Sequence, residues 1–328
     1  MINTFRKFNP INILWLAVVL FILRIGYVWH APGEIHFTLI EPFARLFNNV
    51  EYDHILPSGL NVFIAGLIIL GQALMLNTLV NYYNLLGRSS FLPALMYIVI
   101  SSLFTPFLIL SSPLICNFLI IWMLYKMLSL YKGTDAKSTA FDLGMIVALG
   151  SLIYLPFIYI FLIIWISLII FKPFDWREWI SGIMGYATVF FFLAVFYYLN
   201  DRLSQFYTIW LPLTTKFPGS ISINYYNYLI LIPVIIILIL GFFKIRQNFF
   251  RGYVQIRKSF QLLFCVFIVA GLSFYVKAHF QMSHFLLCAI PAAVFFSYYF
   301  LYAGVRWFYE SLFFLLLAGI IYFQFNTF

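Results

Sequence analysis

The residues able to do chemistry are few, and many of them crowd into one stretch. Trp29 to Ser58, WHAPGEIHFTLIEPFARLFNNVEYDHILPS, holds four of the ten acidic residues (Glu34, Glu41, Glu51, Asp53) and three of the five histidines (His30, His36, His54). A carboxylate at a membrane–water boundary can act as a general base and take a proton from an acceptor hydroxyl. Glu34, in the turn after Pro32-Gly33, is the first candidate, with Glu41 and Asp53 in reserve. A second group sits in VKAHFQMSHF, where Lys277 offers a point charge to a phosphate and His279 and Gln281 can add hydrogen bonds. Arg24, Arg45 and Arg202 are further cations suited to a lipid phosphate. The plain structural alternatives are a solvated turn for Glu34, snorkelling to the interface for Arg24 and Lys277, and wet loops for the histidines. A divalent metal would need His284 with His36 or His54. No HExxH-like spacing supports one, and no metal ligand is assigned.

These groups must be positioned by a chain of 328 residues that is 64% apolar and only 9% charged. Soluble domains are nearer 45–50% apolar and about 25% charged, so this much hydrocarbon requires a bilayer. No polar segment is long enough to form a separate domain, and residues 1–328 read as a single polytopic membrane domain. The net charge of +9 does not indicate nucleic acid, because the basic residues sit in short loops between apolar runs, as membrane topology demands. Cys116, Cys265 and Cys288 fall inside apolar runs and read as small core residues, not a disulfide framework.

A helix needs about 20 apolar residues to cross a bilayer core about 30 Å thick. Eleven runs approach that length: Ile11–Val28, Leu60–Val80, Phe91–Leu110, Leu114–Leu130, Phe141–Leu155, Phe157–Phe171, Trp179–Leu199, Tyr228–Phe243, Phe260–Val276, Phe285–Tyr302 and Phe308–Phe325. The first resembles a signal peptide but is long and lacks a small-x-small cleavage pattern, so it reads as an uncleaved span. With the N-terminus inside, only Arg24, Arg45, Arg202, Lys216 and Lys277 fall outside, leaving fourteen of the nineteen basic residues inside. That is the positive-inside asymmetry. Joining the two short runs at Pro156 into one kinked helix would put the Lys244–Lys258 cluster outside. The expectation is an all-α integral membrane protein of about eleven spans, N-terminus inside and C-terminus outside, in the bacterial cytoplasmic membrane. This topology places every histidine at the outer face.

Within the first outer loop, Thr38–Asn49 has helical periodicity. Leu39, Ile40, Phe43, Leu46 and Phe47 share one side, and Glu41 and Arg45 can pair on the other. Such a helix lies flat at the membrane surface. Asn77, Asn81 and Asn117 read as inter-helix hydrogen bonds, Arg306 and Glu310 as a pair one turn apart, and Asp142 as a carboxylate at a helix start. Phe171–Trp179, FKPFDWREW, reads as an interfacial anchor.

Laid out in this way, the chain resembles a bacterial family of polytopic membrane proteins defined by a domain of unknown function. Some such proteins carry a carotene-oxygenase name. That chemistry needs iron-binding histidines clustered within the membrane, whereas the histidines here lie at helix ends and loops. More distantly, the arrangement resembles the GT-C class of integral membrane glycosyltransferases. The carriers are Glu34 followed by the Thr38–Asn49 segment, and the short loops and Pro-marked helix ends of Leu85–Lys132. The usual Asp-Asp or Asp-Glu-Asp motif and a periplasmic domain are absent. The resemblance implies a polyprenyl-phosphate-linked sugar donor at the outer face, Glu34 as base, and Arg24, Arg45, Arg202, Lys277 and His279 on the phosphate. Beside the transferase stand two other readings: a non-enzymatic subunit of an envelope assembly, and a transporter. A transporter would want paired ionisable groups near mid-membrane, and the sequence shows no clear pair.

Overall fold

A computed structural model of the chain describes residues 1–29, 57–131, 133, 135–201, 203–208, 228–248, 253–276 and 281–325. Among the described residues the regular structure is helical, with no strand. The order is α1 (Ile2–Phe5), α2 (Asn12–Trp29), α3 (Ser58–Tyr82), α4 (Leu92–Ile100), α5 (Thr105–Leu108), α6 (Ser112–Ser129), α7 (Ala136–Ile153), a 3₁₀ turn Leu155–Ile160, α8 (Phe161–Phe171), α9 (Trp176–Leu199), α10 (Leu203–Thr208), α11 (Leu231–Asn248), α12 (Val254–Leu272), 3₁₀ turns Ser273–Val276 and Met282–Cys288, α13 (Ala289–Tyr302) and α14 (Arg306–Phe325).

Eight of the described helices are long and apolar enough to cross a membrane, and the chain is a multi-pass membrane protein. Three of the eleven apolar runs fall short of an unbroken span. Asn12–Tyr27 and Leu155–Phe171 are shorter apolar helices, and Phe91–Leu110 is broken in two, as α4 and α5. At a rise of about 1.5 Å per residue, α4 reaches roughly half-way across a bilayer core.

The breaks have local causes. Ser101 and Ser102 at the end of α4 both donate back to the Ile98 carbonyl, at 3.1 and 2.9 Å. Ser151 does the same to Ala148 at the end of α7, and Ser273 to Ala270 at the end of α12. A serine bonded to its own preceding turn competes with the helix ladder. Pro106, Pro113 and Pro156 then start the next segment, where their missing N–H costs nothing. At Pro156 the chain turns back as a hairpin: Phe157 packs against Gly150, and Lys172 at the far end of α8 reaches the Gly133 carbonyl just before α7.

The centre is made by α4 and α13, which pack together. Every residue of α4, and Ala289 to Phe300 of α13, is buried. A helix that is apolar all round can be enclosed on all sides by other helices. One continuous cluster of buried side chains runs from Ile2 to Ile320. On one flank α7 and α9 approach closely, because Gly144, Gly182 and Gly185 let the two backbones touch.

Contacts define one basic end. Arg6 donates to the Phe300 and Ala303 carbonyls and lies over the Tyr309 ring. Tyr302 bonds the Leu86 carbonyl, and Tyr83 the Tyr125 carbonyl. Lys126 pairs with Asp142 at 2.8 Å, and Arg306 with Glu310 at 3.1 Å. The second pair matches the sequence expectation. Asp142 departs from it: α7 begins six residues earlier at Ala136, so this carboxylate serves the Lys126 pair and not the helix start. Asp175 caps α9 by accepting from the Arg177 N–H at 3.0 Å, which fixes the start of that helix inside the FKPFDWREW stretch.

Candidate functional site

At the opposite end, buried polar side chains form three layers. The first is Arg24. It lies five residues before the end of α2 and is only 4% exposed. Its Nη1 donates to the Val62 carbonyl at 2.8 Å and the Leu108 carbonyl at 2.9 Å. Leu108 ends α5, so its carbonyl has no helical partner and lies at the negative end of a short helix. Gly66 makes room: an added Cβ would already touch the guanidinium, 3.6 Å from Nη1. Among the described residues the other edge of the fork, Nε and Nη2, has no hydrogen-bond partner, and two neighbours share that condition. Asn61 accepts from the Leu110 N–H at 2.8 Å, but its Nδ2 is unpaired. The Ser111 hydroxyl, at the N-cap of α6, is unpaired as well. Among the described residues no carboxylate balances Arg24; the two ion pairs lie at the basic end. A buried charge without a counter-charge is expensive.

The middle layer is Gln72, Tyr97 and Asn117, all enclosed. Gln72 donates to the Leu114 carbonyl at 2.6 Å and accepts from the Tyr97 hydroxyl at 2.7 Å. Asn117 donates to the Tyr97 oxygen at 3.0 Å and the Leu286 carbonyl at 3.1 Å. Asn117 thus joins helices as expected. Asn81 instead bonds both ways with Ser90 in the adjoining turn. Both acceptor carbonyls lie in helical turns, Leu114 in the first turn of α6 and Leu286 in the 3₁₀ turn before α13, so these bonds tie neighbouring segments together.

The third layer is His284, 2% exposed. Its Nε2 lies 2.9 Å from the Ala270 carbonyl and 3.1 Å from the Ser273 hydroxyl, and its Nδ1 lies 2.8 Å from the Tyr154 hydroxyl. A carbonyl only accepts, so Nε2 carries a proton, and with a neutral ring Nδ1 accepts from Tyr154. The imidazole joins the start of the Leu155–Ile160 turn, the end of α12 and the Met282–Cys288 turn. The expectation of a wet-loop histidine is corrected: the ring is buried against the Ala270 carbonyl near the end of α12.

Of the site residues named from the sequence, Arg24 is described. Glu34, Glu41, Asp53, Arg45, Arg202, Lys277, His279, the segment Thr38–Asn49, and His30, His36 and His54 lie outside the described residues. Among the described residues no three of His, Cys, Asp and Glu come close enough to hold a metal. Cys116, Cys265 and Cys288 are free thiols, the first and last buried. Asn61, Gln72, Ser111 and Tyr154 were not singled out from the sequence. Asn61 and Gln72 carried a signal, as amides inside an apolar run. Ser111 and Tyr154 did not, because a serine before a proline and a tyrosine at a helix end are ordinary in membrane proteins.

Comparison with known proteins finds no match among curated proteins and none among solved structures. A family model does match, over residues 39–328, which takes in every broken helix around the buried polar layers. The chain belongs to DUF6427, a family of unknown function.

Proposed function

We propose that the chain is a glycosyltransferase of the bacterial cytoplasmic membrane, acting at the outer face on a polyprenyl-phosphate-linked sugar. In this reading the chain crosses the membrane eleven times, N-terminus inside and C-terminus outside, and the basic end faces the cytoplasm. Support for the orientation comes from the clustering of Arg6, Lys126, Lys172 and Arg306 at that end and the excess of Lys and Arg in cytoplasmic loops generally.

The observation that carries the reading is Arg24: a buried guanidinium near the outer end of the first span, with one free edge and no described counter-charge. Intramembrane cations that are not paired are most often functional. Glu34, in the loop that follows, would take the proton of the acceptor hydroxyl. The acceptor oxygen would bond to the anomeric carbon as its bond to the donor phosphate breaks, and the polyprenyl phosphate would leave with the electron pair. Arg24, Arg45, Arg202, Lys277 and His279 would hold the phosphate and stabilise its growing charge. Glu41 and Asp53 are the reserve bases.

The test is genetic and chemical. Glu34→Gln and Lys277→Ala should alter cell-envelope glycans, and native mass spectrometry of gently extracted protein should show a polyprenyl-phosphate sugar. Unchanged glycans in both variants would reject the transferase. A stable complex with partner subunits and no such lipid would instead support an assembly role.

One observation favours a transporter as the second reading. Segments 101–111, 154–160 and 273–276 with 281–288 are broken or 3₁₀ backbone packed together around His284, and transporters place binding sites at such breaks. Substrate flux into proteoliposomes, lost on replacing His284, would favour it.

A further inference from the structure

We propose that Arg24, Asn61 and Ser111 form a buried anion site at the N-terminus of α6, and that its ligand is a phosphate group. The site rests on unpaired donors. Arg24 Nε and Nη2 along one edge of the fork, Asn61 Nδ2 and the Ser111 hydroxyl are each buried and, among the described residues, without a partner. The same short segment ties them together: Leu108 O holds Arg24 and Leu110 N holds Asn61, immediately before Ser111. Native proteins rarely leave one such group unsatisfied, and here three neighbouring side chains do so at once.

The surroundings carry one sign. Arg24 contributes a full positive charge, and α6, an 18-residue helix, begins at Ser112 with its positive dipole end. The N-cap side chain of Ser111 does not satisfy that end. Nη1 is occupied by two carbonyls, so the guanidinium is held in place with its free edge set for a bidentate acceptor. A halide cannot use that fork as two oxygens do. A carboxylate would fill the fork and leave Asn61 and Ser111 unmet. A phosphate supplies a third oxygen for them. It can belong to a lipid headgroup or be free phosphate, and the chemistry of the donors is the same for both.

This inference deepens the transferase reading, whose donor carries such a group, and its measurement involves no transfer. The full chain is purified in detergent and washed to constant phosphorus content. Bound phosphorus is measured by mass spectrometry and ³¹P NMR, before and after titration with inorganic phosphate. Stoichiometric phosphorus in the wild type is expected. If organic solvent extracts it with an acyl or prenyl chain, the source is a headgroup; if it exchanges with inorganic phosphate in water, it is free phosphate. Asn61→Asp keeps the acceptor for Leu110 and sets a carboxylate beside the fork. It should weaken phosphate binding at least tenfold while the melting temperature holds or rises. Arg24→Lys, which loses the fork, should also bind at least tenfold more weakly, and Ser111→Ala serves if either variant fails to fold. Wild type that retains no phosphorus and takes up none, or Asn61→Asp that binds as tightly as wild type, overturns the site. Stoichiometric phosphate together with unchanged glycans in both Glu34→Gln and Lys277→Ala would reject the transferase and keep the site.

Discussion

Tyr154 and His284, 130 residues apart in the chain, share a buried hydrogen bond of 2.8 Å between the phenol and Nδ1. The bond joins two places where helices give way to 3₁₀ turns, and it depends on the proton that the Ala270 carbonyl holds on Nε2. Tyr154→Phe keeps the ring and removes the phenol bond to Nδ1. A loss of about 1–3 kcal/mol is expected, read as a lower melting temperature in detergent. Tyr198→Phe, on an exposed ring, should change nothing. Equal melting of the two variants would show that the bond does not matter to stability.

Close approach of α7 and α9 depends on glycine. A Cβ at Gly144 would overlap the Gly182 carbonyl, and one at Gly185 the Phe141 carbonyl, so the obstacle is backbone and cannot swing away. Gly185→Val should therefore cost at least the upper end of about 1–3 kcal/mol and reduce the yield of folded protein. Gly59→Ala meets open space and should be neutral or slightly stabilising, by up to about 1 kcal/mol. Size-exclusion profiles of the two variants give the comparison.

The basic end contains a cleft of about 660 Å³ lined by Tyr82, Tyr83, Tyr125, Ser129, Tyr253 and Gln255 among others. Burial, then the neighbouring phenols of Tyr125 and Tyr82, push the Tyr83 phenol up to about 12. Its folded value lies above its unfolded value, so its contribution to stability is intact below about pH 10 and is lost as pH rises through about 12. Tyrosinate absorbance of wild type against Tyr83→Phe should differ by a component titrating near the upper value. A difference titrating at the ordinary tyrosine value would contradict the assignment.

The eleven crossings proposed above would put Asp135 and Ser204 on opposite sides of the membrane. In a Cys265→Ala background, Ser204→Cys should react with an impermeant maleimide in whole cells, and Asp135→Cys only after the membrane is opened. Labelling of both from outside would require a different number of crossings between them.

Most of the architecture was legible because a bilayer asks a simple question of a sequence. Apolar runs of the right length must be helices, since no other open structure satisfies its own backbone in lipid. Hence the all-helical, multi-pass character and the pairing of Arg306 with Glu310 could be read directly. Composition could not show that the run Phe91–Leu110 stops half-way. Only the tertiary structure provides Arg24 and Asn61, whose side chains take up the Leu108 carbonyl and the Leu110 N–H at that break. In the same way His284 looked like a loop residue until α12 and the hairpin at Pro156 brought Ala270 and Tyr154 to its two nitrogens. Hydropathy is a property of each residue and its near neighbours, whereas the partner of a buried polar atom lies wherever the fold returns the chain. The helices could therefore be placed from the sequence, while the polar layers between them depended on contacts across as many as 169 residues.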